Sequence, residues 1–285
     1  MAVLALFQYE PYCSRECGSG VISALSSHHD IQIITRHDLT SENLARFDMV
    51  IFPGGRGDAS AFRQVLKTKT SILQAYVKSG GTYLGICMGA YWADRLYFDL
   101  IGETRCVQYI TRPKAEIRRS FPTLVRSEWL GQGGKFYFFD GCTFIESEQS
   151  VQPYATYANG DAMAVIKGNV GLIGCHLESE LSWYQTKAMK PAWHDYSHHR
   201  LLKEFVDDLL SKGRSFRVAI DRPAIRSTST EDQADLIVDE IELLKAALHD
   251  IERETSMFTQ GTFKKIHDIA RQALSQISPS RAKRD

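Results

Sequence analysis

The chain has 285 residues, enough for one large or two smaller domains with a substantial hydrophobic core. Its 34 basic and 34 acidic residues cancel, so no net field favours nucleic acid or an anionic membrane as a partner. No apolar run approaches the ~20 residues that a membrane span requires, and six scattered cysteines without paired spacings are typical of a reducing compartment. We therefore expect a cytoplasmic protein whose N-terminal segment is a strand rather than a signal peptide.

Short apolar segments alternate with helical patterns through the first ninety residues. Strands are predicted at Val3–Tyr9, Ile31–Ile34, Met49–Phe52 and Thr82–Ile86, and helices at Val21–Ser27 and Phe62–Lys78, with a turn at Pro11–Gly20. This alternation is typical of a flavodoxin-like three-layer α/β sandwich, with helices on both faces of a mostly parallel sheet. Functional sites of such sheets lie at the carboxyl ends of the strands, so the turns after Phe52 and Ile86 should face one crevice.

The second half of the chain has a different organisation. A β-rich insertion is predicted at Cys106–Tyr157, followed by a hairpin of two strands, Ala162–Ile166 and Val170–Cys175, and a helix at Ser197–Lys212. We interpret residues 1–220 as one domain and the Pro/Ser/Thr-containing residues 221–232 as a linker. In residues 233–285, apolar positions at spacings of three and four predict a helical hairpin, which either caps the domain or joins two copies as a homodimer.

The stretch GGTYLGICMGAYW, residues 80–92, predicts a nucleophile elbow, in which a strand turns sharply into a helix at a reactive residue. Cys87 occupies the turn, and the small residues that the geometry requires two positions before and after it are Gly85 and Gly89. The helix that follows directs N–H groups and a positive dipole end at the sulfur, which favours thiolate. The alternative is an inert buried cysteine at a strand end.

A histidine and a carboxylate follow the last predicted strand. His176 is placed to act as the base for Cys87, and Glu178 to orient its imidazole. The N–H of Met88, with one from Gly54 or Gly55, could stabilise an oxyanion. The alternative for His176 is a partly buried histidine with structural hydrogen bonds.

Three motifs together resemble the biotin-protein ligase N-terminal domain family, within the class I glutamine amidotransferase-like superfamily. They are FPGG at Phe52–Gly55, GGTYLGICMGAY at Gly80–Tyr91, and CHLES beginning at Cys175; the residues from Asp140 to Phe144 stand in place of a further motif. The resemblance spans Val3–Lys212 and implies triad-type cysteine chemistry. Glutamine-hydrolysing members carry Gln where this chain has Tyr91 and Pro where it has Leu177, so free glutamine is not the expected substrate.

We therefore predict an amide hydrolase or an acyl or amido transferase that works through a thioester on Cys87. Tyr91, Gly85, Trp183 and Glu10 are candidate substrate contacts, although Trp183 could be core and Glu10 a solvated turn residue. The expected partners are a small-molecule amide or acyl substrate and a separate acceptor or synthetase subunit; no cofactor and no metal are predicted. Two other functions stay open, a non-catalytic regulatory or redox-sensing module and an intracellular cysteine peptidase.

Overall fold

A computed structural model describes residues 1–8, 14–55, 61–146, 153–193 and 195–218. These residues all belong to the first of the two units into which the chain divides, Met1–Pro223. The predicted linker at 221–232 and the helical appendage at 233–285 lie outside the described residues, so both remain predictions.

The described part of the chain alternates strands and helices at first and then becomes rich in strands. The strands are β1 Val3–Phe7, β2 Asp30–Ile34, β3 Met49–Phe52, β4 Thr82–Ile86, β5 Arg105–Gln108, β6 Thr123–Trp129, β7 Gln132–Phe138, β8 Cys142–Ile145, β9 Ala155–Tyr157, β10 Ala162–Lys167 and β11 Val170–Ile173. The helices are α1 Arg15–Leu25, α2 Ser41–Leu44, α3 Ala61–Val65, α4 Thr70–Lys78, α5 Met88–Trp92 and α6 Ser197–Val218. Short 3₁₀ turns lie at Arg36–Asp38, Lys67–Lys69, Tyr109–Thr111, Leu181–Trp183 and Lys190–Ala192.

One mixed sheet organises these elements, in the order β2-β1-β3-β4-β11-β10-β9-β6-β7. Strands β2, β1, β3, β4 and β11 pair in parallel, whereas β10, β9, β6 and β7 extend the sheet by antiparallel pairing. The β10–β11 hairpin places β11 directly beside β4, and β8 joins β5 to β10 outside this order. The predicted α/β class with a β-rich insertion is confirmed.

Helices cover both faces of the parallel strands, as the alternation of buried side chains along β1 illustrates. Leu4 and Leu6 belong to one core cluster, and Ala5 and Phe7 belong to the other, because successive side chains of a strand point to opposite faces. The first cluster includes side chains of α1 and α6, and the second includes side chains of α2, α3, α4 and α5. Among the described helices, none combines the length and the apolar character that crossing a membrane would need.

Helix α1 begins earlier than its sequence pattern indicates. The expected turn at Pro11–Gly20 is wrong from Arg15 onward, because Ser14 caps the helix by accepting a hydrogen bond from the Cys17 N–H at 3.4 Å. Gly18 and Gly20 make the first turns of this helix look like a loop in the sequence, and packing requires a glycine at position 20. A side chain on Gly20 would overlap the backbone carbonyl of Glu178, so α1 lies directly against the loop that carries Glu178.

Candidate active site

Cys87 lies at the junction of β4 and α5 in a conformation that few residues other than glycine adopt. Its φ is 50° and its ψ is −105°, and its side chain is 7% exposed. Helix α5 has only five residues, so its dipole adds less to the environment of the sulfur than the sequence pattern indicates. A Cβ on Gly85 would lie 2.5 Å from the Gly89 carbonyl oxygen, and a Cβ on Gly89 would overlap the Phe52 carbonyl oxygen. The turn at Cys87 therefore depends on both glycines.

The Gly89→Ala variant is expected to lose stability, because the added methyl group meets a backbone carbonyl that has no room to move. Overpacking of this kind costs about 1–3 kcal/mol, and contact with a rigid strand places this substitution at the upper end. Urea unfolding measures the change in the free energy of unfolding. Gly133→Ala is the matched control, since a Cβ at Gly133 has no atom within 4 Å. Equal stabilities of the two variants would contradict the packing account.

The loop after β11 carries a buried histidine–glutamate pair. The His176 N–H donates to the Tyr137 carbonyl oxygen at 2.9 Å, which anchors the loop to β7. The His176 Nδ1–H donates to Glu178 Oε1 at 2.8 Å, and the two residues are 4% and 0% exposed. A carboxylate in this position holds the proton on Nδ1 and orients the imidazole, so that Nε2 is the nitrogen that can exchange a proton with a neighbouring group.

The Cys87 thiol lies close enough to the same imidazole to contribute to the rise of its pKa. Burial alone lowers the pKa of His176, but the Glu178 carboxylate and the neighbouring thiols outweigh it and raise that pKa well above its ordinary value. Cys87 Sγ also lies 3.6 Å from the Phe139 carbonyl oxygen, to which the thiol donates. The fold thus brings together Cys87, His176 and Glu178, three residues separated by about ninety positions in the sequence.

A second thiol, absent from the sequence prediction, belongs to this cluster. Cys17 lies in the first turn of α1, and its sulfur lies within 4.8 Å of a ring nitrogen of His176. Burial raises the pKa of Cys17, although the interaction with His176 opposes the rise. The signal that could have identified it is the Ser14 cap, because a helix that begins at Arg15 turns Cys17 toward the sheet.

Of the three residues proposed for an oxyanion hole, two line a cavity and one packs against His176. Met88 and Gly55 line a cavity that opens beside Cys87. Gly54 lies against the imidazole instead, since a Cβ there would be 2.7 Å from Cys17 Sγ and 2.8 Å from His176 Cε1. A side chain at Gly54 would therefore displace His176.

The cavity beside Cys87 has a volume of about 720 Å³ and a wall of mixed character. Its described lining residues include three aromatic side chains (Tyr91, Tyr97 and Phe139) and three polar ones (Asp94, Gln108 and Asp140). The Tyr91 hydroxyl donates to the Asp140 carbonyl oxygen at 3.3 Å.

Two predicted substrate contacts, Gly85 and Trp183, are not among the described residues lining this cavity. Gly85 packs beneath the elbow, and the Trp183 ring packs edge-on against His176 at a centroid distance of 5.5 Å. Glu10 lies outside the described residues, so its assignment remains a prediction.

The mixed sheet with helices on both faces has a glutamine amidotransferase-like α/β fold. PurLQS from Thermotoga maritima is 14% identical with a TM-score of 0.51, over 73% of this chain and 100% of that one. A glutamine amidotransferase from Thermotoga maritima is 11% identical with a TM-score of 0.51, over 73% of this chain and 98% of that one. At these identities the likeness establishes the fold alone.

Within that fold, residues 10–107 match the family model described as biotin-protein ligase, N terminal. The resemblance inferred from the sequence motifs is thus confirmed over a segment that contains the PGG turn and the Cys87 elbow. The matched segment ends before His176 and Glu178. No curated protein matches this chain.

Proposed function

We propose that the protein is a cysteine-dependent amide hydrolase or acyl or amido transferase, with Cys87, His176 and Glu178 as its catalytic triad. The observation that carries the proposal is a buried imidazole that hydrogen-bonds the Glu178 carboxylate at 2.8 Å and lies close enough to the Cys87 thiol for the thiol to affect its pKa. In cysteine hydrolases, the nucleophile, the base and the acid that orients the base are arranged in this order. The glutamine amidotransferase-like fold supports an amidotransferase-type or related activity.

In the first half-reaction, the Cys87 sulfur attacks the carbonyl carbon of an amide. The thiol proton is held by His176 as an imidazolium when the sulfur attacks, a form that the Glu178 carboxylate at 2.8 Å stabilises. Negative charge develops on the carbonyl oxygen, and we propose that the N–H groups of Met88 and Gly55, which line the cavity, stabilise it. His176 then donates its proton to the leaving amine, the C–N bond breaks, and a thioester remains on Cys87.

In the second half-reaction, a nucleophile enters the cavity and attacks the thioester. Water yields a carboxylic acid, and an amine yields a new amide. His176 accepts the proton of that nucleophile and returns a proton to the Cys87 sulfur as the C–S bond breaks. If the released amine is passed on, we propose that its acceptor is a separate subunit.

The cavity argues against free glutamine as the preferred substrate. Its two acidic side chains already have partners: Gln108 Nε2 donates to both carboxylate oxygens of Asp140 at 3.2 Å, and Asp94 pairs with Arg105 at 3.1 Å. The described lining contains no lysine or arginine that could pair with an α-carboxylate. Tyr91 offers one hydroxyl and a broad apolar face where a glutamine side chain would both donate and accept. A larger, more apolar amide fits this wall better.

Free glutamine is accordingly expected to have a kcat/KM about tenfold to hundredfold lower than a primary amide with an aromatic acyl group. Polar groups of glutamine left unsatisfied in the cavity cost about 1–3 kcal/mol, which corresponds to that ratio. Steady-state ammonia release from each substrate measures it. Tyr91→Gln should bring the kcat/KM for glutamine closer to that for the aromatic amide. Tyr97→Phe, which changes another residue lining the cavity, should leave the ratio of the two values unchanged.

Two results would contradict different parts of this proposal. Efficient glutamine turnover that disappears in Cys87→Ala would contradict the substrate class but keep the nucleophile. If neither amides nor an electrophilic glutamine analogue form an adduct with Cys87 in intact-protein mass spectrometry, the hydrolase assignment itself is wrong.

A further inference from the structure

Three side chains of different chemistry converge at the inner end of the site. The Cys17 sulfur, a ring nitrogen of His176 and a carboxylate oxygen of Glu178 all lie within 4.8 Å of one another, and all three residues are buried. In tetrahedral zinc sites, bond lengths of about 2.0–2.3 Å place neighbouring ligand atoms roughly 3.3–3.8 Å apart. The cluster therefore needs only a small contraction to become three of the four ligands of a zinc ion.

The second carboxylate oxygen of Glu178 provides an independent observation. Glu178 is 0% exposed, and within the described part of the chain its Oε2 has no hydrogen-bond partner. A buried carboxylate oxygen without a donor is rare and costly. Neither Cys17 nor His176 donates a hydrogen bond to it. A cation bound between the three side chains would satisfy this oxygen.

We propose that Cys17, His176 and Glu178 bind a divalent transition-metal ion, with zinc the best match to the ligands. Zinc accepts thiolate, imidazole and carboxylate together, whereas magnesium and calcium take oxygen ligands. When the metal binds, the Cys17 thiol and the ligating nitrogen of the His176 imidazolium each lose a proton to solvent. Metal binding itself does not depend on hydrolysis.

The consequence for activity rests on the proposed function. A metal-bound His176 is no longer available to Cys87, so zinc holds the enzyme in an inactive state. Cys17 contributes to this control without taking part in the triad reaction. Removal of Cys17 should therefore remove the sensitivity of the activity to zinc.

Zinc affinity is measured on the metal-free full chain, kept reduced with a phosphine, by competition with a chromophoric chelator. We expect one zinc ion per chain and, with Co²⁺ as a probe, a thiolate-to-cobalt charge-transfer band. Cys17→Ser should weaken binding at least tenfold and remove the band, and Glu178→Gln should also weaken binding. Cys106→Ser is the matched control, because Cys106 Sγ donates to the Ala90 carbonyl oxygen at 3.2 Å, a bond that serine retains.

The Cys87→Ser variant distinguishes metal binding at Cys17 from metal binding at the reactive thiol of Cys87. The proposal predicts that Cys87→Ser keeps its affinity, whereas Cys17→Ser loses it. The opposite pattern, or no stoichiometric binding by the wild-type chain, would overturn the proposal. These measurements do not involve turnover, so their failure is distinct from a failure to detect amide hydrolysis.

Discussion

Replacing Cys87 with alanine is expected to abolish amide hydrolysis, with a fall in kcat of about 10⁴-fold or more. The reason is that no other described side chain can form the thioester at the strained turn between β4 and α5. The rate is measured with the aromatic primary amide. Cys106→Ser, which changes a thiol in the same cavity wall, should keep most of the activity.

The same variant tests the reactivity of the thiol. With a limiting amount of a chloroacetamide-type electrophile at neutral pH, the wild-type chain should gain one adduct, and Cys87→Ala should gain none. Burial raises the pKa of Cys17, Cys142 and Cys175, which keeps these thiols protonated and slow to react. Modification of several cysteines at comparable rates would show that Cys87 is an ordinary thiol.

Replacement of His176 by glutamine is the second substitution with a large expected effect. Loss of a general acid and base lowers kcat by about 10²–10⁴-fold. Glutamine is chosen because its amide can still donate to the buried Glu178 carboxylate, which limits the structural damage of removing its partner. His199→Gln is the matched control, since His199 Nε2 lies 3.1 Å from the Ser179 carbonyl oxygen outside the triad. Equal losses in the two variants would indicate a structural rather than catalytic role.

The raised pKa of His176 adds a stability signature with a defined sign. Because its pKa is higher in the folded chain, folding favours the imidazolium. This contribution is complete below the unfolded value of about 6.5 and is lost as the pH rises through the folded value. The unfolding free energy of the wild type relative to His176→Gln should therefore be greatest near pH ~5 and decline toward pH ~9. A difference that grows with pH would contradict the assigned protonation.

Local patterns in the sequence are enough to predict the parallel part of the sheet and the elbow. Met49–Phe52 is a short, fully apolar run that ends at a Pro-Gly-Gly turn, and Thr82–Ile86 is a short, mostly apolar run that ends at Cys87. The predicted bounds of both strands match the structure. The role of Gly85 and Gly89 can also be predicted from the sequence, because the sharp turn at Cys87 requires small residues at two fixed positions.

The start of α1 and the contacts of Cys17 are not predictable in the same way. Glycine and serine in residues 14–20 favour a turn by intrinsic propensity, yet Ser14 caps a helix there and Gly20 admits the backbone of Glu178. Gly20 is explained by a residue more than 150 positions away, so only the folded chain reveals why the helix contains it.

The sequence by itself determines the fold class, the strained cysteine and the His-x-Glu pair, because each of them depends on patterns of residues that are close together in the sequence. Tertiary structure alone decides what those residues face. It places Cys17 and Cys87 near the same imidazole. It makes Tyr91, rather than Gly85 or Trp183, a lining residue of the cavity, and it leaves one oxygen of Glu178 without a hydrogen-bond donor among the described residues. The physical reason is that distances and burial among side chains of α1, β4 and the loop after β11 arise only when the sheet assembles and the helices pack on it.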